Sequence, residues 1–366
     1  MGSGVTGSAV TSQGLAFAGI EAHPLVAELA ALKLQASIDI REAREAALAL
    51  SLEPPRACQI AREPELVQRS FSEETLTDLV ALRGGIKDLG DTATACVLKW
   101  ALLGTLRDVA QVKVGWPYQR PGVARKAQFR AVRDRFLARV AMITDDVEDA
   151  GRERPLSTIV VGDSSDSRAW QSMPVAQACI TSPPYLNNFD YADATRLELY
   201  FWGDVTTWRQ MCELVRTDMV VATTQQSSKL GKATALSALA NRHGTIGEEI
   251  VNLTERITAT RIDRGGRTKE YDQVIPPYFV SMSGVLENLF NYLESGAPAI
   301  WLVGDSAPYG VYIDTPRLIA GLATSIGFEF QEDVLLRRRG ERWGRDRGCA
   351  LSERMIVLQK PAAADR

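Results

Sequence analysis

The sequence has few of the residues that build disulfide frameworks or zinc sites. Its five cysteines are Cys58, Cys96, Cys179, Cys212 and Cys349. They are widely spaced and form no Cys-x-x-Cys pair, and only two histidines, His23 and His243, could join them as metal ligands. An odd number of scattered thiols indicates buried or incidental cysteines, so the sequence predicts neither a disulfide scaffold nor a zinc centre.

Long apolar runs are also missing. No uncharged apolar stretch approaches the roughly 20 residues that span a bilayer, and the first residues lack the basic-then-apolar order of a signal peptide. We therefore expect a cytoplasmic protein with no membrane partner. The 366 residues are 45% hydrophobic and 24% charged, which is typical of globular domains and excludes disordered, collagen-like and coiled-coil classes.

The chain has no overall excess of positive charge, since its net charge is −3 and its pI is near 5.7. A polyanion would therefore have to be bound by local basic patches. The first patch, with aromatic residues interleaved, contains Arg120, Arg125, Lys126, Arg130, Arg133, Arg135 and Arg139, and the second contains Arg337, Arg338, Arg339, Arg342, Arg345, Arg347 and Arg354. Each patch is either a solvated face or a contact surface for nucleic acid.

The order of predicted elements divides the chain into three parts. Residues 1–40 contain a glycine-rich loop, a short helix, an apolar strand ending on Glu21, and a helix that begins at Pro24, which is the start of a nucleotide-binding α/β unit. Residues 41–155 lack this alternation and predict a helical insertion, whose arginine-rich part is a candidate contact region for a polyanion such as DNA. Residues 156–366 return to the α/β pattern around a second, helix-leaning insertion at about 204–275, and end in two β-runs.

The first part carries a cofactor signal. Gly2, Gly4 and Gly7 form a turn through which backbone N–H groups can approach a ligand, and Glu21 closes the next strand, where a carboxylate accepts hydrogen bonds from ribose hydroxyls. Together they predict an adenosine-containing cofactor. The same glycines satisfy the G-x-G-x-x-G pattern of NAD enzymes, so this signal alone leaves nicotinamide chemistry open. The absence of a lysine after Gly7 excludes a P-loop.

Ser182-Pro183-Pro184-Tyr185 follows a short apolar strand and is a more specific signal. Two consecutive prolines donate no N–H and hold an extended backbone, which leaves the neighbouring carbonyl groups available as acceptors. The amino group of a planar base could donate to the Ser182 hydroxyl and to a proline carbonyl while Tyr185 stacks on the ring. The alternative interpretation is a rigid loop with a packed tyrosine.

These motifs together resemble the amino-methyltransferases of DNA, specifically the cytosine-N4 group. The residues that carry the resemblance are Gly2-Ser-Gly4-Val-Thr-Gly7, Gly19-Ile20-Glu21, Gly162-Asp163-Ser164 and Thr181-Ser-Pro-Pro-Tyr185. The similarity continues through Asp190-Tyr191 and through Leu302-Val-Gly-Asp-Ser306 to the closing hairpin. It therefore covers roughly the first 35 residues and residues 155–360, and it does not explain the two insertions.

The resemblance implies an α/β fold: a Rossmann-like S-adenosylmethionine methyltransferase sheet, mainly parallel, with an antiparallel strand near the edge and helical insertions. In the family the glycine loop and the acidic residue bind S-adenosylmethionine, which implies Gly2, Ser3, Gly4 and Glu21 here, with Asp163 near the adenine. The family's target-amine loop corresponds to Ser182, Pro183, Pro184 and Tyr185. Our candidates for nucleic-acid contact are Arg120, Arg125, Lys126, Arg337, Arg338 and Arg339.

The implied activity is site-specific transfer of a methyl group to the N4 amine of cytosine in duplex DNA, within a restriction-modification system that adds a cognate endonuclease as a partner. Serine before Pro-Pro-Tyr favours cytosine, whereas adenine-N6 enzymes more often carry Asp or Asn there. Adenine-N6 methylation is the alternative, followed by an RNA or protein amino-methyltransferase and by an inactive nucleic-acid-binding relic. Methylation at C5 would need a nucleophilic cysteine, typically after proline, and none of the five cysteines follows one.

The sequence departs from the family at its start. Family members place Asp-Pro-Phe, preceded by a strand, immediately ahead of the glycine loop, whereas this sequence begins with Met1. A truncated reading and a degenerate copy are the two interpretations. Under both we expect weak or absent binding of S-adenosylmethionine by this chain.

Overall fold

The computed structural model describes residues 1–34, 37–53, 60–113, 120–124, 131–150, 155–187, 189–224, 230–265, 269–339 and 349–362, and of residues 113 and 120–124 only the backbone. The helices are α1 Val5–Thr11, α2 Pro24–Leu34, α3 Ile40–Leu52, α4 Glu65–Gln68, α5 Glu73–Asp88, α6 Ala93–Val109, α7 Val132–Asp149, α8 Tyr191–Ala194, α9 Arg196–Trp202, α10 Trp208–Met211, α11 Lys232–Arg264, α12 Ile275–Tyr292 and α13 Thr315–Ile326. The strands are β1 Phe17–Glu21, β2 Val112–Lys113, β3 Arg120–Ala124, β4 Ser157–Val161, β5 Cys179–Thr181, β6 Pro298–Gly304, β7 Glu329–Arg338 and β8 Ser352–Gln359.

Strands β1 and β4 form a parallel pair although more than 130 residues separate them in the chain. Glu21 is the register partner of Val161, so both strands end at the same edge. The amide of Gly162 extends the ladder by donating to the Glu21 carbonyl at 3.1 Å. The residues that follow the two strands, including Asp163, are thereby held beside Glu21.

A second sheet has the strand order β5-β6-β8-β7. β5 runs parallel to β6, while β8 runs antiparallel to both β6 and β7. Three of its strands therefore share a direction, and β8, next to the edge strand β7, is reversed. The predicted α/β class is confirmed. The one Rossmann-like sheet is not observed, because in the described chain β1 pairs only with β4 and β5 only with β6; that arrangement stays a prediction.

The core of the second sheet is covered by helices from the last third of the chain. Trp301 of β6, with Tyr278 and Phe279 of α12, are among its fully buried side chains. α11 and α13 pack against α12 and close this core. Ile20 of β1 belongs to the same hydrophobic cluster, which joins the two sheets through side-chain packing rather than through strand pairing.

A second core is helical. It is built by α5, α6 and α7 and contains the fully buried Phe136. Phe201 and Met211, from beyond β5, are buried in it, and Leu25 of α2 connects it to the first α/β part. The predicted insertion at about 204–275 therefore contributes to both cores, since Met211 belongs to the helical core and α11 packs against α12 and α13 in the first. The 41–155 segment is helical as expected, with one correction: β2 and β3 form a small antiparallel pair. Among the described helices, none is both long and apolar enough to cross a bilayer.

Candidate active site

The end of β1 holds the glycine turn against its own carboxylate. Glu21 accepts hydrogen bonds from the Gly2 amide at 2.8 Å and from the His23 amide at 3.0 Å. The amine of Met1 lies 3.7 Å from the same carboxylate, whose side chain is 16% exposed. The structure therefore brings Gly2 and Glu21 together, as the sequence analysis expects of a cofactor loop.

The turn itself needs glycine at two positions. Gly2 and Gly4 have φ angles of 63° and 80°, which L side chains rarely adopt. The carbonyl of Ser3 accepts a hydrogen bond from Lys33 of α2 at 3.1 Å. Gly7 is a correction to the predicted loop, because α1 begins at Val5 and so places Gly7 inside the helix.

Asp163 lies at the end of β4, beside Glu21. Its carboxylate accepts hydrogen bonds from the amide and the hydroxyl of Ser165, at 2.9 and 2.7 Å. This local turn fixes the direction of the side chain at the edge where β1 and β4 end. Both carboxylates thus belong to the edge at which β1 and β4 end.

The loop after β5 presents Ser182 to solvent, and no other described residue forms a hydrogen bond with its hydroxyl. The ring of Tyr185 packs on the backbone of β6: a Cβ atom added at Gly304 would lie 2.7 Å from its Cδ2 atom. The guanidinium of Arg339 lies 5.9 Å from the ring centroid and donates to the Asp305 carbonyl at 3.1 Å. Tyr185 is therefore held in place by contacts with Gly304 and Arg339.

Gly304→Ala tests this packing. The added Cβ would also approach Arg339 Nη1 to 3.3 Å, so Tyr185 and Arg339 must both shift. We expect a loss of about 1–3 kcal/mol in the free energy of unfolding, measured by urea denaturation. The control is Gly84→Ala inside α5, where an added Cβ meets no described atom within 4 Å; a helical glycine replaced by alanine should gain about 0.5–1 kcal/mol. Equal stabilities of the two variants would contradict the packing.

Asp305, next along the chain, closes the sheet at the same edge. It is fully buried and accepts hydrogen bonds from the Ser352 amide and hydroxyl and from the Tyr312 hydroxyl. It therefore joins the end of β6 to the start of β8, which explains structurally why Gly-Asp-Ser follows this strand.

The predicted nucleic-acid contacts divide into three groups. Arg337 forms a two-pronged ion pair with Glu353 of β8, at 2.6 and 2.8 Å, and Arg339 contacts Tyr185. Arg338 is exposed. Arg125, Lys126 and the side chain of Arg120 lie outside the described residues. Contacts of these three residues with nucleic acid therefore stay predictions, whereas Arg133 and Arg139 of the same patch pair within the chain, with Asp78 and Asp108.

Asp190, five residues after Tyr185, forms a buried ion pair that the sequence did not predict. Asp190 and Arg216 are 2.6 Å apart, with side chains only 4% and 5% exposed. Asp190 also caps α8 by accepting the amide of Asp193 at 3.1 Å. Arg216 lies in a π-helical turn that follows α10, with its guanidinium 4.4 Å from the Trp208 ring centroid. No spacing pattern in the sequence connects the two charged residues.

His23 joins the Glu21 strand end to α8. Its Nε2 atom lies 2.7 Å from the Thr195 hydroxyl, and the residue is 1% exposed. Burial lowers the pKa of His23 from 6.5 to about 4, against the opposing effect of Glu21. The imidazole is therefore neutral near pH 7, and it acts here as a structural link.

The depressed pKa of His23 predicts acid sensitivity. Between pH 6.5 and 4 the unfolded chain binds a proton at His23, whereas the folded chain does not. The contribution of neutral His23 to the free energy of unfolding is therefore fully present above pH 6.5 and is lost as the pH falls toward 4. The loss is about 3 kcal/mol by pH 4. We expect His23→Gln to flatten this part of the pH profile in urea unfolding. Burial also lowers the pKa of His243, which stays in both proteins, so an unchanged slope would contradict the assignment.

The groups at this edge fit an adenosine-containing cofactor. Ribose hydroxyls and an adenine amine donate hydrogen bonds, and the carboxylates of Glu21 and Asp163 are acceptors at the same edge of the sheet. A Cβ added at Gly2 meets no described atom within 4 Å, so the outer side of the turn is open to close approach by a ligand. Within the described chain, the donors and acceptors thus suit S-adenosylmethionine.

Comparison with known proteins gives the following relatives. The Type II methyltransferase M.AvaI of Nostoc sp. is 28% identical over 162 residues, which is 43% of this chain and 32% of the relative; M.AvaI of Anabaena variabilis matches equally. The Type II methyltransferase M.BsoBI of Geobacillus stearothermophilus is 24% identical over 255 residues, 64% of this chain and 49% of the relative. No protein-family model and no solved structure matches. The matched part of the chain thus spans between a third and a half of these relatives, and the chain is weakly homologous to Type II DNA methyltransferases.

Proposed function

We propose that this chain carries the catalytic machinery of an S-adenosylmethionine-dependent DNA methyltransferase that methylates the N4 amine of cytosine in duplex DNA. The observation that carries the proposal is the Ser182-Pro-Pro-Tyr185 loop. It leaves an exposed hydroxyl at the end of β5 and holds an aromatic ring in contact with Gly304 and Arg339. The weak homology to M.AvaI and M.BsoBI supports the same class of activity.

The chain's own residues have defined tasks in this reaction. An exocyclic amine is a poor nucleophile, because its lone pair is delocalised into the ring. The Ser182 hydroxyl and the Pro183 carbonyl accept the two N–H groups of the amine and draw its nitrogen toward tetrahedral geometry. Tyr185 supports the extruded base, whose removal from the duplex costs a few kcal/mol. Positioning of the two reactants then supplies much of the rate, without a covalent enzyme intermediate.

Glu21 and Asp163, with the turn at Gly2, Ser3 and Gly4, would hold the cofactor. S-adenosylmethionine supplies the electrophilic methyl group. In the described chain, one side of β1 and one side of β5 have no paired strand, so the two sheets are not joined into one. A catalytically inactive nucleic-acid-binding protein is therefore the second candidate. Such a protein would bind DNA and show no turnover.

The experiment is transfer of radiolabelled methyl from S-adenosylmethionine to unmethylated duplex DNA, with this chain and an N-terminally extended version side by side. Ser182→Ala, prepared identically, controls for contaminating enzymes. Incorporation by either version supports the proposal, and incorporation by neither refutes it. Digestion of the product to nucleosides and mass spectrometry then identify the base; N6-methyladenine as the sole product would refute the cytosine assignment. A restriction endonuclease as partner remains part of the proposal.

A further inference from the structure

Tyr191 is an exposed aromatic residue next to the candidate site. It is the first residue of α8, six residues after Tyr185, and its side chain is 46% exposed. Its ring stands 4.6 Å from that of Phe189, measured between centroids, and tilted by 55°. Exposed aromatic rings serve single nucleotides and extruded bases as stacking surfaces.

Two contacts fix the position of α8. The buried Asp190–Arg216 pair holds the residue directly before Tyr191. At the other end of α8, the Thr195 hydroxyl is hydrogen-bonded to the ring of His23, which lies two residues beyond Glu21. The helix is therefore anchored between the end of β1 and the π-helical turn, and Tyr191 has little freedom to move away.

Helix α8 thereby links the two halves of the site: Tyr191 at its start follows Tyr185 by six residues, and Thr195 at its end contacts His23, two residues beyond Glu21. Burial raises the pKa of Tyr191, and the charges of Tyr185 and Glu21 act in the same direction. Tyr185 belongs to the loop for the target amine, and Glu21 to the cofactor turn. The exposed ring of Tyr191, on the helix that links these two halves, is therefore available to a base bound at the site.

We propose that Tyr191 contacts the extruded target base and forms the wall of its pocket on the side of the cofactor, with Asp190 and Arg216 as positioning residues. This inference rests on the proposed function, since it names a further contact of the same site. The ring, rather than the hydroxyl, makes the contact, because stacking needs only the π-face.

Photo-crosslinking tests the contact without requiring turnover. Unmethylated duplexes carrying 5-iodocytosine or 8-bromoadenine are irradiated with the protein, and crosslinked peptides are identified by mass spectrometry. We expect a crosslinked peptide that contains Tyr191, retained in Tyr191→Phe and lost in Tyr191→Ala. The control is Phe330→Ala on the edge strand β7, which should retain the Tyr191 crosslink. Phe330 is an aromatic residue of similar exposure, 48%, that lies away from the site. Crosslinks confined to other peptides, or none, would overturn the inference.

Methyl transfer separates this inference from the proposed function. In an active protein, Tyr191→Ala should lower kcat/KM for DNA by about ten-fold or more, the usual effect of removing a base-stacking ring, with KM for S-adenosylmethionine unchanged. An active protein without a Tyr191 crosslink refutes the inference alone. A Tyr191 crosslink in a protein without methyl transfer refutes the proposed function and leaves the base contact established.

Discussion

Replacing Arg216 by methionine should lower the free energy of unfolding by about 3–5 kcal/mol, because removal of one partner leaves the other as an uncompensated buried charge. Asp190 is 4% exposed, and its partner lies only 2.6 Å away. Methionine retains much of the apolar volume beside Trp208, so the loss reports mainly the missing charge. Urea unfolding measures it.

An exposed ion pair in the same segment provides the matched control. Arg209 and Glu213 are 2.7 Å apart, but their side chains are 87% and 54% exposed. Such pairs are worth about 0–1 kcal/mol, so Arg209→Met should scarcely change stability. If the two variants were equally stable, Arg216 would not be acting as a buried counter-charge. The π-helical turn around Arg216 would then need another explanation.

A designed strand of five β-branched residues placed ahead of Met1, to lie between β1 and β5, should raise the free energy of unfolding by about 2–3 kcal/mol. The gain is the free energy of burying its apolar side chains minus the entropic cost of ordering five residues. The amine of Met1 already donates to the Ile20 carbonyl of β1 at 2.8 Å, as a neighbouring strand would. The same amine also acts on β5: burial raises the pKa of the Cys179 thiol to about 12, and the positive charge of the amine acts against this rise. Ile180 in the middle of β5 is 49% exposed.

The control for the designed strand is an extension of equal length made of glycine and serine, which has little β propensity and no apolar surface to bury. It should leave stability unchanged. Equal effects of the two extensions would show that β1 and β5 do not receive a strand between them. Calorimetric binding of S-adenosylmethionine by the unextended chain and by both extended proteins tests the expected weak cofactor binding directly.

Strands were more predictable from the sequence than helix ends. The short β-branched run Ser157-Thr-Ile-Val-Val161, bounded by proline and glycine, predicts a strand, and it coincides with β4. The sequence also predicts a helix over 285–293, which in the structure begins ten residues earlier, at Ile275. Pro276 and Pro277 obscured its start, although proline is compatible with the first helical turn. The alanine- and leucine-rich sequence after Pro24 predicts one helix to about residue 40, whereas α2 ends at Leu34 and α3 follows separately.

The candidate site was predictable where its residues follow strands. Glu21, Asp163 and Ser182 each lie within two residues of the end of a short apolar run, so these runs alone placed them at strand ends. Arg216 and Thr195 carry no such signal. Their roles depend on how α8 and the π-helical turn pack in three dimensions, which local spacing does not encode.

The link made by Asp305 has a consequence for how the protein could diversify. Asp305 bonds to Ser352, and the amide of Arg339 donates to the Leu351 carbonyl at 2.7 Å, so the residues that flank the arginine-rich sequence 340–348 are fixed to the sheet. Changes of composition and length within that sequence would therefore leave Tyr185 in place. Under the proposed function, exchange of this sequence would give new DNA sequence preferences while the Ser182–Tyr185 loop stays unaltered.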